Sequence, residues 1–497
     1  MMGREPRNQP SLFYTRFNLD QRISPNHPLR AIHQIIDFDF IYGDVCDVYG
    51  QNGNVSVPPP VILKMMLLLV MYDVRSEREL MDTIPMRLDW MWFLGYDLDD
   101  KIPNHSVLSK ARTRWGAKAF KRFFENIVGQ CVRAGLIDGS KVFMDASLME
   151  ANASNNSVVN QQALSRYLNA RYRKLEAQLE AMEAPKSGTA NRKHVSTTDP
   201  DASVVRQGAG RSKLRYKIHR AVDEKAEVIT ATEVTAGEIN EAHRLTSLIE
   251  SHEANTGASV KTAVADSKYG TIENFLECRD RQIAPHFEAV DKSHRGTGRR
   301  KDIFEPNEFV YRPEDDLFIC PAGERLEARK LKKERNHVEY AAAAKICNRC
   351  RLKSRCTRSR QGRTLKRHLR QDELDQMLAA SQSRASRRDI KKRQHLMERS
   401  FAQASRYGFD RARWRRLWRV QIQEYLVAAV QNIRILTTHI KEQRKAKAMR
   451  VAVPPARRQR QPSSASGGPF HRLVRHLQIN EPGRRRNLVL LAASASL

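Results

Sequence analysis

The stretch KVFMDASLMEANAS, Lys141–Ser154, decides the fold class. Val142-Phe143-Met144 reads as a short buried strand, and Asp145 follows with no Lys or Arg beside it. Two readings of that aspartate stand side by side. It is a helix N-cap or turn residue, where Asp commonly sits after a strand, or its charge is kept to hold a metal. Downstream, VKTAVADSKYG repeats the pattern, with an apolar strand that ends on Asp266. Strand ends in one sheet converge, and two neighbouring carboxylates repel unless a cation bridges them. Mg²⁺, with oxygen ligands, is the usual bridge, and Mn²⁺ is its common substitute.

Outward from these strands the pattern is mixed. LRYKIHRAVD and EVITATEVTAG read as two strands joined by the turn-like DEKA. A helix over Glu241–His252, the strand VKTAVAD, a helix over Ile272–Arg281 and the strand IAPHFEA follow. Strands and helices in this order indicate an α/β domain with a mixed sheet over residues 141–290. Within it, Gln161–Ala184 reads as a helical seam with Leu164, Leu168, Leu175, Leu179 and Met182 on one side. Residues 185–212 are polar and rich in Gly, Ser and Thr, which reads as a mobile loop.

Residues 1–140 read as helical. Val61–Tyr72 is strongly apolar, Ser76 and Glu79 have capping-box spacing, and a long amphipathic helix begins at Ser106 and stops at Gly135. Residues 291–380 form a basic insert that holds four of the seven cysteines, residues 381–444 return to the α/β core, and residues 445–497 are a basic low-complexity tail. Cys46, Cys131 and Cys278 read as ordinary buried small residues.

The chain has 497 residues, with 87 Lys+Arg against 56 Asp+Glu, a net charge of +31. A clustered surplus of this size calls for a polyanionic partner, most simply nucleic acid. Its longest apolar run contains Lys64 and falls short of the roughly 20 residues a membrane span requires. Seven cysteines in so long a chain do not suggest a disulfide framework, so a reducing cytoplasm is expected.

Glu398 is the candidate third carboxylate. On a helix, Asp389 has Lys392 and Arg393 at i+3 and i+4, whereas Glu398 has only Gln394, His395, Phe401 and Ala402 at those spacings. Two metals held by three such acids, roughly 4 Å apart, can activate a hydroxyl and stabilise the leaving oxygen of a phosphodiester. Arg and Lys residues surround Glu398, and Tyr407, Phe409, Trp414 and Trp418 are interleaved after it. Those aromatics either stack on splayed bases or form a helical core face.

The blocks FMDASLMEANAS, LRYKIHRAVDEKAEVITATEVTAGEINEAHRL, AVADSKYGTIENFLECRDRQI and MERSFAQASRYGFDRARWRRLWRVQIQEYLVAAVQNIRIL occur in this order. Together they resemble the DDE transposases of bacterial insertion sequences, over about Ser11 to Ile440. The resemblance implies a ribonuclease-H-like catalytic core with flanking helices, an all-α N-terminal DNA-binding domain and a small Cys-rich insert. It assigns Asp145, Asp266 and Glu398 as the Mg²⁺-binding catalytic set. It matches Lys268, Tyr269 and Gly270 to the turn after the second aspartate, and Phe401 to the aromatic after the glutamate. Lys268, Tyr269, Arg399, Arg406, Tyr407 and Trp414 are the expected DNA contacts.

The family usually carries Lys seven residues after the glutamate. Here that position is Ser405, and Arg406 is the neighbour able to take over the contact with the DNA end. Cys320, Cys347, Cys350 and Cys356 have spacing that suits a structural Zn²⁺, and His337 offers a further ligand. Similar cysteines in related transposases support the same reading. The implied activity is binding of terminal inverted repeats, metal-dependent cleavage and strand transfer, by a homodimer or higher oligomer on double-stranded DNA in the bacterial cytoplasm. The alternatives are a catalytically inactive DNA-binding relative and a metal-dependent nuclease that mobilises nothing.

Overall fold

A computed structural model describes residues 2–3, 18–50, 54–160, 191, 193–289 and 303–452. The helical seam expected over Gln161–Ala184, and the tail beyond residue 452, lie outside these residues. Residues up to Gln443 form one compact unit; from Arg444 a second unit begins, of which only the end of one helix is described.

Seven helices open the chain: α1 (Leu19–Arg22), α2 (Pro28–Ile35), α3 (Phe40–Val45), α4 (Pro59–Met71), α5 (Glu77–Thr83), α6 (Leu88–Leu94) and α7 (Ser106–Arg133). Helix α4 is buried on nearly every side, and Lys64 within it lies over the rings of Phe38 and Phe93. Ser76 caps α5 through the Glu79 amide, and Glu79 reaches back to the Arg75 amide, one residue before the reciprocal bond of a capping box. Helix α7 is kinked at Gly116, whose positive φ a side chain would resist.

The catalytic sheet is built from β1 (Lys141–Glu150), β4 (Ser203–Val205), β5 (Lys213–Asp223), β6 (Ile229–Ala236), β7 (Thr262–Val264) and β8 (Ala284–His286); β2 (Val158–Asn160) pairs separately with β3 (His194–Ser196). Its order is β4-β5-β1-β7-β8, with β6 also paired to β5. Strand β5 is antiparallel to β1 and β6, whereas β1, β7 and β8 are mutually parallel. Helices α8 (Leu245–Thr256) and α9 (Ile272–Asp280) supply the crossovers. This mixed sheet with flanking helices is the ribonuclease-H-like architecture.

Three expectations need correction. Strand β1 does not end on Asp145 but continues to Glu150, because β5 pairs with it along its whole length. A polar side chain marks a face of a strand, not its end. The described part of 185–212 is no mobile loop: it carries β3 and β4, and Ser196, Asp199, Asp201 and Ser203 are buried. Cys46 is exposed, while Cys131 and Cys278 are buried as expected.

Between β8 and the last helices, a lobe folds as a five-stranded antiparallel sheet ordered β13-β12-β11-β10-β9. Its strands are β9 (Val310–Arg312), β10 (Leu317–Ile319), β11 (Arg325–Lys332), β12 (His337–Ala341) and β13 (Thr364–His368), and the short helices α10 (Ala344–Arg349) and α11 (Lys353–Cys356) precede β13. The chain then forms α12 (Gln371–Ser381), α13 (Arg384–Ser405) and α14 (Leu417–Ala452), so the first residues assigned to the tail are helical.

Alternation along β1 sorts the core into two faces. Val142 and Met144 pack with α8, α9 and α12; Phe143 and Met149 pack with α13, α14 and the N-terminal helices. One apolar core therefore spans the expected boundary at residue 140. Across it, Arg112 stacks 4.0 Å over Trp414, whose indole N–H donates to Glu77 at 3.1 Å.

Candidate active site

Parallel pairing places Phe143 beside Val264, and two residues further along each chain stand Asp145 and Asp266. Glu241 reaches them from the turn after β6, where the Asn240 side chain accepts from the Ala242 amide. One oxygen from each of Asp145, Glu241 and Asp266 lies within 4.8 Å of the others, the one such group of potential metal donors among the described residues. Glu241 is buried, and the two aspartates are half-buried. Asp266 is also a cap: its Oδ1 accepts from the Lys268 amide at 2.6 Å. Asp266 therefore combines a capping bond with a place in the carboxylate cluster.

Basic side chains surround the acids. Arg393 on α13 pairs with Asp145. Lys268 donates to Glu241 at 3.0 and 3.3 Å, and Lys217 approaches the same carboxylate at 3.4 Å while donating to the Ile239 carbonyl. Burial pushes the Asp145 carboxyl above the usual aspartate range; Arg393 opposes this, and Asp266 and Glu241 add to it. Burial also lowers the Lys217 ammonium, which Glu241 only partly restores. For Lys268, burial works against the ammonium, but Glu241, Asp266 and Asp145 outweigh it and raise its pKa. Tyr269 is fully buried, and its phenol faces Glu241, Asp145 and Asp266 without a hydrogen-bond partner among the described residues.

The expected contacts are placed differently from one another. Lys268 is at the cluster, but Tyr269 is buried and offers no ring face to a base. Glu398 stands outside the cluster on the solvent side of α13 and accepts from Gln394 at 3.2 Å. Asp389, Leu396, Met397 and Ser400 are the buried face of that helix. Arg399 is exposed and paired to Glu227 at 2.6 and 2.9 Å, and Arg406 is exposed at the helix end. Tyr407 is buried, and Trp414 is held between Arg112 and Glu77, so both serve packing. Ser405 donates to Asp410 at 2.7 Å.

Sequence reasoning missed Glu241, Lys217 and Arg393. Glu241 opens a helical segment just after a strand, where an acid is ordinary for the helix dipole alone. Only its place beside the two aspartates that follow apolar runs could have marked it.

In the lobe, Cys320 follows β10, Cys347 lies on α10, Cys350 follows that helix, and Cys356 ends α11. Burial raises the Cys356 thiol; Arg363 opposes this, and Cys347, Cys320 and Cys350 raise it further. The four thiols therefore share one neighbourhood, although no three sulfurs lie within 4.8 Å of one another. Four thiols are a suitable donor set for zinc.

Two family models match the chain. Residues 17–114 match a transposase domain (DUF772), and residues 319–437 match a transposase DDE domain. Over these two segments the chain is similar to DDE transposases. The second match runs from the cysteine lobe through α13 into α14 and includes Glu398. No curated protein matches the chain. Transposases of the DDE kind are nuclease-type enzymes that act on DNA, and the family generally uses a divalent metal. The acidic cluster suits such an ion: its donors are carboxylate oxygens, and the unpaired Tyr269 hydroxyl faces them. Among the described residues, no helix is long and apolar enough to cross a membrane.

Proposed function

We propose that this transposase binds the terminal inverted repeats of an insertion sequence and catalyses metal-dependent cleavage and strand transfer at the DNA ends. The observation that carries this reading is the convergence of Asp145 and Asp266 from adjacent parallel strands into one carboxylate cluster. A bound Mg²⁺ or Mn²⁺ supplies Lewis-acid activation of the scissile phosphate and the attacking hydroxyl. Asp145 and Asp266 hold it, while Arg393 and Lys268 neutralise the acids before it binds and are then placed to meet phosphate oxygens. The resemblance adds Glu398 as the acid from α13.

DNA grip extends to the cysteine lobe. Between Ala341 and His368 the chain carries ten Lys or Arg and no Asp or Glu, and Arg349, Arg351, Arg355, Arg358 and Arg360 are exposed. Such a surface tracks a phosphate backbone without reading sequence. A structural zinc on Cys320, Cys347, Cys350 and Cys356 would hold that surface in shape. Pairing of two DNA ends calls for a homodimer or larger assembly.

The test is cleavage of a labelled inverted-repeat duplex in Mg²⁺ by the natural protein and by Asp145→Asn, Asp266→Asn and Glu398→Gln. Nicking at the repeat boundary that the two aspartate variants lose while still binding DNA supports the reading. If all four bind and none cuts even in Mn²⁺, the chain is a DNA-binding protein without nuclease activity. Normal cutting by Glu398→Gln removes that residue from the catalytic set.

A further inference from the structure

We infer that Glu241 is a ligand of the divalent cation, a further carboxylate of the site beside Asp145 and Asp266. This deepens the nuclease reading and rests on it. Neither family match covers Glu241, which lies between the two matched segments.

The argument begins with burial. Glu241 is only 4% exposed, so its charge has been taken out of water and must be compensated. The compensation present is provisional. Lys268, its nearer partner, keeps a side chain 61% exposed and can swing away. Lys217 is half-buried, and its ammonium is shared with the Ile239 carbonyl. Neither lysine is dedicated to Glu241.

A second observation is independent of the acids. The Tyr269 hydroxyl is fully buried, feels the charge of all three carboxylates and lacks a hydrogen-bond partner among the described residues. A buried hydroxyl left unpaired is costly and calls for an occupant. A hydrated cation between the carboxylates would offer it a water oxygen. Arg393 pairs with Asp145 through one terminal nitrogen, and its Nε is buried without a partner among the described residues, a donor left for a water oxygen in the same site.

The position of Glu241 also follows from the fold. Strand β6 lies beyond β5 from β1, so its chain must cross back over the sheet to reach α8. The short turn Glu241–Arg244 comes up to Asp145 in the middle of β1 and Asp266 just past β7, and the two turns pack together through Lys268–Glu241 and the Asn274 bonds to the Ala242 and Tyr269 carbonyls at 3.0 and 2.8 Å. The Asn274 side chain on α9 thus holds the backbone of both turns, the one that carries Glu241 and the one that follows Asp266. Glu398 has no such fixing and its side chain is turned to solvent.

The experiment measures Mn²⁺ binding to the full chain without DNA, by the loss of the free-ion electron paramagnetic resonance signal, with a melting curve on each sample. Asp145→Asn and Glu241→Gln are each expected to weaken Mn²⁺ by about tenfold or more, and Lys268→Ala to tighten it by removing a competing ammonium. A purely structural Glu241 would instead lower the melting temperature of Glu241→Gln and leave its Mn²⁺ affinity unchanged, which overturns the assignment. So does a loss in Glu398→Gln with none in Glu241→Gln. Should Glu241→Gln not fold, Lys268→Ala decides: tighter binding supports the ligand role, and unchanged binding overturns it. Mn²⁺ binding that needs Glu241, in a protein that never cuts DNA, would keep this inference and end the nuclease reading. Cutting that needs Asp145 but not Glu241 would do the reverse.

Discussion

Glu424→Gln is the substitution whose cost can be worked out most directly. Arg220 and Glu424 are both 0% exposed and form a two-pronged pair, Nε to Oε1 at 2.7 Å and Nη2 to Oε2 at 3.1 Å. Arg220 also donates to the Ser400 hydroxyl at 3.2 Å and to Gln431 at 3.0 Å, and Thr232 donates to Glu424 at 2.9 Å. The pair thus ties β5 to α13 and α14 across the core. Neutralising Glu424 leaves a buried guanidinium uncompensated, which costs about 3–5 kcal/mol. An internal control exists in Arg399–Glu227, an equally close pair with side chains 53% and 35% exposed. Glu227→Gln should cost only a small fraction as much, as exposed pairs do. Urea unfolding followed by tryptophan fluorescence compares the two. The double variant Arg220→Met, Glu424→Leu should recover most of the loss, because apolar side chains of similar volume leave no charge behind. Equal midpoint shifts for Glu424→Gln and Glu227→Gln, or no recovery in the double variant, would refute the reasoning.

Asp145 predicts a pH signature. Its carboxyl is raised above the ordinary 3.8, so the metal-free fold loses stability as pH rises from that value through the folded one. The stability of Asp145→Asn relative to the natural protein should therefore grow from pH 4 to 7 in melts with a chelator present; a flat difference would contradict it. Gly270→Ala would drive a methyl group into the Glu288 carbonyl beside the Asp266 turn. It should cost about 1–3 kcal/mol, read by thermal melts, and reduce cleavage. Elemental analysis should find about one zinc per chain, lost in Cys347→Ser. Arg358→Ala with Arg360→Ala should flatten the salt dependence of DNA binding by about 0.9 in log–log slope for each phosphate contact removed; an unchanged slope would place the DNA elsewhere.

The sheet was legible because its strands contain short apolar runs, and both aspartates were legible because each follows such a run directly. Their pairing partner was not. Glu241 sits 96 residues after Asp145 in a segment whose acid looks like ordinary helix charge, and only the crossover from β6 to α8 brings it to the site. For Glu398 the sequence shows that no Lys or Arg stands at helical spacing, and the structure adds a bond from the neutral Gln394. Trp414 invited a helical reading from its spacing to Leu417 and Trp418, yet α14 begins only at Leu417. Its ring serves the contact with Arg112, 302 positions earlier, which no local pattern encodes.

The bond between Arg393 and Asp145 closes a loop of 248 residues. At about 5–20 residues per second, a ribosome needs about 10–50 s to travel from one to the other. During that interval the sheet has been made, but Phe143, Met149, Tyr216 and Ile218 still lack the cover that α13 and α14 provide. A nascent chain therefore carries its acids before it has a closed cleft. A gene copy cut short before residue 384 would yield exposed apolar strands, food for proteases and chaperones, and not a folded competitor for the DNA ends.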